Sequence, residues 1–309
     1  MSEEFISPGK YAVDSMSQRV DIPLPSSKSP GCLRKTVTLE VTVTYPSNVT
    51  KGSETPFPVV AWFNGLMSKS AWYGSIVRHV ASWGYVVLQY KNMNPLLPVA
   101  DELAYLPPLL QWLSAQSAGN AGSTADRLPA NPLLGLADTS RLATMGHSWG
   151  GALAVLHYLG ASTVNVATAV LVDPQDWTNN AAVKALTGTN RTAAVVGSGI
   201  TGPTNPAAQN FRHFFPELAP GSWQLVIKQA GHLSFLNTGS SVLDKTLDLV
   251  AKIGKISRPE VSRTAASLSV AWLQSTFRAH TSQHGLQRYA EWLRQQQAQG
   301  AVEWTVTSP

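Results

Sequence analysis

Gly146-His147-Ser148-Trp149-Gly150-Gly151 sets a serine between glycines, directly after Ser140-Arg141-Leu142-Ala143-Thr144-Met145 and directly before Ala152-Leu153-Ala154-Val155-Leu156-His157-Tyr158-Leu159, which stops at Gly160. A strand-like run, a glycine-lined turn and a helix-like run in that order make a nucleophile elbow. A serine hydroxyl is a weak nucleophile at neutral pH, so the elbow must present it on a sharp turn where another group can take its proton. Gly146 and Gly150 remove the Cβ atoms that would collide in such a turn, and the first N–H groups of the following helix face the space where an oxyanion would form.

Serine chemistry of this type needs an imidazole base oriented by a carboxylate, and sheet enzymes built on the elbow run serine, acid, histidine along the chain. Between Ser148 and His232 stand only Asp173, Asp176 and Glu217. Asp173 ends the apolar run Val166-Ala167-Thr168-Ala169-Val170-Leu171-Val172, which places it at the carboxyl edge of the next parallel strand, where catalytic groups gather. Asp176, in the following loop, is its competitor as a capping or solvated residue. His232 follows the strand-like run Trp223-Gln224-Leu225-Val226-Ile227-Lys228 and is the expected base. His157 falls inside the helix after the elbow, His213 lies between phenylalanines, and His280 and His284 lie beyond the core pattern. His147 precedes the serine and is read as orienting the elbow, because adjacent residues point apart. A second oxyanion donor is expected after Pro58-Val59-Val60-Ala61-Trp62-Phe63, where Asn64-Gly65-Leu66 follows. The hole is therefore assigned to the backbone N–H groups of Leu66 and Trp149.

The chain has 309 residues, 44% of them hydrophobic, enough for one substantial core and for a single domain over residues 1–309. The net charge of +5 is modest, and no stretch interleaves Lys and Arg with aromatics as a nucleic-acid groove would. No nucleic-acid partner is expected. The single cysteine, Cys32, excludes an internal disulfide and any cysteine-rich metal site. Met1-Ser2-Glu3-Glu4 lacks the features of a signal or transit peptide. Residues 142–172 carry no charge, yet glycines, serines, threonines and Asn165 interrupt them, so they read as a buried strand–helix–strand unit of a soluble chain rather than a membrane span.

Residues 36–45 alternate Thr36, Thr38, Glu40, Thr42 and Thr44 against Val37, Leu39, Val41, Val43 and Tyr45, a half-buried strand near an edge. Buried strands are expected at about 58–63, 84–90, 141–146, 166–172, 192–197 and 223–228, with crossovers long enough for parallel pairing. The fold class is α/β: a mostly parallel, doubly wound sheet with helices on both faces. Ser257-Arg258-Pro259-Glu260 has capping-box spacing and opens a long helix, with Val261, Ala265, Leu268 and Trp272 at helical intervals. Residues of about 280–309 read as a helix–strand appendage, and 115–125 as a surface loop. Two apolar loops, Met93 to Leu110 and Ile200 to Pro220, are candidates for a substrate pocket, the second through Phe211, Phe214 and Phe215.

From Pro56 to about Arg278 the chain resembles chlorophyllases, serine esterases of the α/β-hydrolase fold that remove phytol from chlorophyll. The elbow is similar to their Gly-His-Ser-Arg-Gly-Gly, and Val170-Leu171-Val172-Asp173-Pro174-Gln175 to their Gly-Val-Asp-Pro-Val. Gly231-His232-Leu233-Ser234 resembles their Gly-His-Met-Asp, Val196-Gly197-Ser198-Gly199 their Gly-Ser-Gly-Leu, and Phe211-Arg212-His213-Phe214-Phe215 their Asn-His-Lys-Glu-Phe-Phe. Trp149 stands where the family usually has arginine, Asn64 where it usually has histidine, and residues 280–309 have no counterpart in the short plant versions. An algal-type member is the expectation.

The resemblance implies the triad Ser148, Asp173 and His232, a hydrophobic phytyl-ester substrate, peripheral contact with a membrane and a chloroplast location. It implies no protein-bound metal and no organic cofactor. A general carboxylesterase or lipase would use the same triad with a different pocket. A non-catalytic ligand-binding member of the fold would ordinarily lack one of the three residues, and all are present here.

Overall fold

Continuous apolar runs bounded by turns form strands buried on both faces, and the centre of this molecule is built from such runs. In the computed structural model, which describes residues 5–23, 36–50, 53–91, 99–119, 131–177, 180–251, 254 and 256–307, every residue of Phe57–Phe63 is buried. In chain order the strands are β1 (Ala12–Pro23), β2 (Thr36–Ser47), β3 (Phe57–Phe63), β4 (Val86–Tyr90), β5 (Ala137–His147), β6 (Thr168–Val172), β7 (Ala193–Ile200), β8 (Trp223–Gly231) and β9 (Val302–Val306). The helices are α1 (Gly74–Ser82), α2 (Val99–Leu103), α3 (Leu106–Ala118), α4 (Trp149–Tyr158), α5 (Ala181–Leu186), α6 (Ser241–Ala251), α7 (Arg258–Phe277) and α8 (Ala279–Ala298). One sheet holds all nine strands in the order β1-β2-β4-β3-β5-β6-β7-β8-β9. The middle six, β4 to β8, pair in parallel, while β1 and β2 at one side and β9 at the other are antiparallel.

Side chains alternate between the two faces of a strand, and each face here has its own apolar layer. Val59, Ala61 and Phe63 pack with α3, α4 and α5 through residues such as Leu109, Leu153 and Leu186. Val60 and Trp62 pack on the opposite face with α1, α7 and α8 through Ile76, Leu268 and Leu293. The chain moves from β3 outward to β4 on one side, then returns to place β5 on the other side of β3. That reversal is a switch point, and it opens a crevice at the carboxyl ends of β3 and β5, where the Asn64-Gly65-Leu66 turn and the elbow emerge.

Four features differ from the sequence reading. β1 went unnoticed because Asp14, Ser15, Ser17, Gln18, Arg19 and Asp21 leave it little apolar alternation; it is an edge strand paired with β2 over its whole length, and such strands carry polar and charged residues. The carboxyl-terminal region is no appendage. β9 extends the main sheet along β8, and Tyr289, Leu293 and Val302 are buried in the core, so α8 and β9 cover apolar surface that the sheet would otherwise expose. The stretch 115–125 begins inside α3, with 120–130 outside the described residues. Ser257 sits at the start of α7 with Pro259 in the first turn, but its hydroxyl makes no capping bond, so the capping box is not formed. Cys32 also lies outside the described residues.

Candidate active site

Ser148 stands between β5 and α4 with φ 58° and ψ −127°, a left-handed backbone that few non-glycine residues adopt. Three main-chain bonds hold it there: its N–H donates to the Val172 carbonyl (3.1 Å), and its own carbonyl accepts from Gly151 (2.9 Å) and Gln175 (3.0 Å). The flanking glycines are required by close approach. A Cβ at Gly150 would lie 2.0 Å from the Phe63 carbonyl oxygen, and one at Gly146 would lie 2.1 Å from the Gly150 carbonyl oxygen.

His232 begins a 3-10 turn, His232–Phe235, after β8. Its Nε2 lies 2.9 Å from Ser148 Oγ and its Nδ1 lies 2.6 Å from Asp173 Oδ2. The Arg258 guanidinium pins the turn from outside: it donates to the carbonyls of Leu233 and Leu236 and pairs with Asp248 of α6. Asp173 follows β6 at φ 42°, completely buried. Its carboxylate accepts from the Ser198 N–H (2.9 Å) and the Ser198 hydroxyl (2.7 Å), and the Asn205 amide donates in turn to Ser198 Oγ (2.8 Å). Burial by itself pushes the Asp173 carboxyl up, but the hydrogen bonds from His232 and Ser198 outweigh it and hold the group below its ordinary value. Asp173 therefore stays ionised beside His232. Asp176 faces elsewhere: its carboxylate accepts the Val183 N–H (2.9 Å) at the start of α5. Glu217 lies in the 3-10 turn Phe215–Glu217.

The two assigned oxyanion donors sit on either side of the serine. Trp149 is the first residue of α4, so its N–H has no intrahelical acceptor. The space that a Cβ on Gly65 would fill is 3.3 Å from Ser148 Cβ, which brings the Gly65-Leu66 peptide beside the nucleophile. Among the described residues neither the Leu66 nor the Trp149 N–H is spent on an acceptor. Met67, next in the chain, is a further non-glycine residue at positive φ, 59°. Asn64 is occupied structurally: its amide donates to the Tyr90 carbonyl (2.7 Å) and accepts from Gln89 (3.1 Å), which ties the turn to β4.

His147 is buried against His232, ring centroids 4.6 Å apart. Its Nε2 lies 3.0 Å from the His232 carbonyl oxygen, and its Nδ1 lies 3.0 Å from the Tyr73 hydroxyl. Burial, reinforced by His232, brings its pKa down to about 3, so the ring is neutral. Of the remaining histidines singled out above, His157 is buried within α4, His213 hydrogen-bonds the Ala207 carbonyl (2.8 Å), and His280 and His284 are exposed on α8. Among the described residues no group of three or more His, Cys, Asp or Glu side chains is placed to hold a metal ion.

Phe211, Phe214 and Phe215 are buried. Two short 3-10 turns fold their segment back onto the sheet, and the rings pack into the core with Val155, Ala182, Leu186 and Val195. Burying three aromatic rings outweighs leaving them at a solvent-facing rim. In the other candidate loop, residues 92–98 lie outside the described residues, and most of the remainder belongs to α2 and α3. Glu102 of α2 is buried, accepting from the Tyr90 hydroxyl (2.9 Å) and from the Trp149 indole Nε1–H (3.0 Å).

Tyr73, Glu102, Ser198 and Asn205 were missed in the sequence. Ser198 alone carried a signal, since it sits at the carboxyl edge of β7, the same kind of position that singled out Asp173.

The chlorophyllase family model matches residues 8–291. Chlorophyllase-2 of Arabidopsis thaliana is 26% identical over 246 residues, which cover 72% of this chain and 74% of that protein. Among solved structures, the ferulic acid esterase from Streptomyces cinnamoneus superposes with a TM-score of 0.62 at 16% sequence identity, covering 89% of this chain and 93% of that one. At that identity the likeness speaks for the α/β-hydrolase fold.

Proposed function

This chain belongs to the chlorophyllase family and has the α/β-hydrolase fold of an esterase, and from that premise we propose that it hydrolyses the phytyl ester of chlorophyll to chlorophyllide and phytol through an acyl-serine intermediate. The observation that carries the chemistry is the unbroken relay of Ser148 Oγ, His232 and Asp173, at 2.9 and 2.6 Å. The substrate rests on family membership.

In this mechanism Asp173 accepts from Nδ1–H of His232, which leaves Nε2 unprotonated and facing Ser148. As Oγ attacks the ester carbonyl, its proton passes to Nε2, and Asp173 stabilises the imidazolium. The negative charge that develops on the carbonyl oxygen is met by the N–H groups of Leu66 and Trp149; one such donor is worth about 10²–10³ in turnover. The tetrahedral intermediate collapses as Nε2–H protonates the departing phytol oxygen. Water then attacks the acyl-serine, gives its proton to Nε2, and Ser148 leaves with that proton restored. The magnesium of chlorophyll belongs to the substrate and takes no part in the proton transfers.

Peripheral contact with a chloroplast membrane belongs to the same proposal, since the substrate partitions into lipid. Among the described residues no helix is long and apolar enough to cross a membrane. A second reading, a carboxylesterase for smaller esters, is favoured by one observation: the three phenylalanine rings are buried in the core. The deciding assay measures chlorophyllide released from detergent-solubilised chlorophyll beside p-nitrophenyl butyrate hydrolysis, for the parent and Ser148→Ala. Chlorophyllide formation that disappears in the variant supports the first reading. Serine-dependent cleavage of the small ester alone selects the second, and cleavage of neither refutes both.

A further inference from the structure

The loops after β3, β5 and β8 are far apart in the chain, yet catalysis by a serine, an imidazole and two main-chain donors requires them to keep one register. A continuous buried chain of hydrogen bonds joins all three. The Gly65 N–H lies 2.9 Å from the Tyr73 hydroxyl oxygen, the Tyr73 hydroxyl 3.0 Å from His147 Nδ1, and His147 Nε2 3.0 Å from the main-chain carbonyl oxygen of His232. Tyr73 is fully buried and His147 is 1% exposed, so water does not compete for these bonds.

The direction of every bond follows from the chemistry of the groups. An amide N–H only donates, so the Tyr73 oxygen accepts at Gly65. Its own proton is then free to point at His147 Nδ1. The neutral imidazole has one N–H, which must be on Nε2, and the His232 carbonyl at the far end only accepts. One end of the chain holds the peptide next to the Leu66 oxyanion donor, and the other holds the backbone from which the His232 imidazole hangs. The His147 ring meanwhile stacks against that imidazole.

We infer that Tyr73 and His147 are positioning residues for ester hydrolysis, and that their hydrogen-bond chain fixes the oxyanion loop and the base loop relative to each other around Ser148. This rests on the serine-esterase reading above. Tyr73 acts through the Gly65 main chain, and His147 acts through the His232 main chain and by stacking on its imidazole. Misplacing a reacting group by about 1 Å costs on the order of 10²-fold, so loosening both loops is expected to act on turnover rather than on substrate binding.

The test uses the whole chain with p-nitrophenyl butyrate, comparing the parent with Ser148→Ala, Tyr73→Phe, His147→Phe, His147→Gln and the double variant Tyr73→Phe/His147→Phe. Tyr73→Phe and His147→Phe keep ring volume and lose the bonds; each is expected to lower kcat about 10-fold or more with KM within about two-fold. The double variant loses no more than the worse single, because one chain is already broken. His147→Gln retains a donor and an acceptor and recovers several-fold over His147→Phe, which a pure packing role would not produce. Single variants within about two-fold of the parent, or losses that multiply in the double variant, overturn the inference. If Tyr73→Phe does not fold, the comparison of His147→Phe with His147→Gln decides alone. A parent that cleaves no ester refutes the esterase reading and this inference with it, whereas a Ser148-dependent parent matched by its variants refutes the inference only.

Discussion

His157 makes the fold sensitive to mild acid, and the size of the effect follows from its surroundings. The imidazole is 1% exposed, stacked 4.8 Å from the Phe63 ring, with Nδ1 2.7 Å from Ser162 Oγ and no partner for Nε2 among the described residues. Burial brings its pKa down to about 3, against about 6.5 for a histidine in an unfolded chain. As pH falls below about 6.5 the unfolded chain binds a proton that the folded chain refuses, so stability decreases with acidification and is intact above that value. At about pH 5 the difference is roughly one and a half pH units at about 1.4 kcal/mol each, or about 2 kcal/mol. Urea unfolding followed by tryptophan fluorescence at about pH 7.5 and about pH 5, for the parent and His157→Gln, isolates this contribution. His147 and all other titrating groups are common to both proteins and cancel in the comparison. The parent is expected to lose about 2 kcal/mol more than the variant between the two conditions. Parallel losses would show that His157 is not held neutral by the fold, and the reasoning would fail.

Four further outcomes are expected. Asp173→Asn lets the His232 ring turn to the wrong tautomer while leaving the packing in place, so kcat for a soluble ester falls by about 10⁴ with the protein still folded by circular dichroism. Ser198→Ala removes one of the hydroxyl and main-chain donors that keep Asp173 ionised; the depressed pKa rises, and stability falls by about 2 kcal/mol at neutral pH. That deficit shrinks as pH drops through the carboxylate range, because a lowered acid pKa stabilises in full above the unfolded value of about 4 and loses that contribution as pH falls through the folded value, which paired urea titrations read directly. Gly150→Ala drives a methyl group into the Phe63 carbonyl, backbone against backbone, and costs about 3 kcal/mol or more. Gly74→Ala, whose added Cβ meets nothing within 4 Å at the start of α1, is neutral or stabilising by up to about 1 kcal/mol; thermal melts distinguish the two.

What was legible in the sequence was what local pattern controls. Buried strands announce themselves as short apolar runs, so β3 to β8 stood out, and strand edges pointed to Ser148, Asp173 and His232, which the fold brings into a hydrogen-bonded row. β1 was hidden because an edge strand with few buried residues has little alternation to read. The burial of the phenylalanines at 211, 214 and 215 could not be read, because an aromatic in a loop looks the same whether it faces solvent or packs under a sheet; only tertiary packing decides. Tyr73 was invisible for a related reason: its importance lies in a partner 74 residues away, and no local spacing encodes such a contact, while the strand-edge position of Ser198 gave no sign that it would bond Asp173, 25 residues away.

Five non-glycine residues among those described hold a positive φ, and three of them, Met67, Ser148 and Asp173, mark the three loops that carry the proposed oxyanion donor, nucleophile and acid. A chain selected only to remain folded would place glycine at Met67 and Ser148, where left-handed backbone then carries no steric cost. The site is thus where this protein is least at ease with its own backbone. A screen for heat-resistant variants that scored survival without scoring hydrolysis would find its gains at these positions first, and would return a sturdier molecule with nothing left to do.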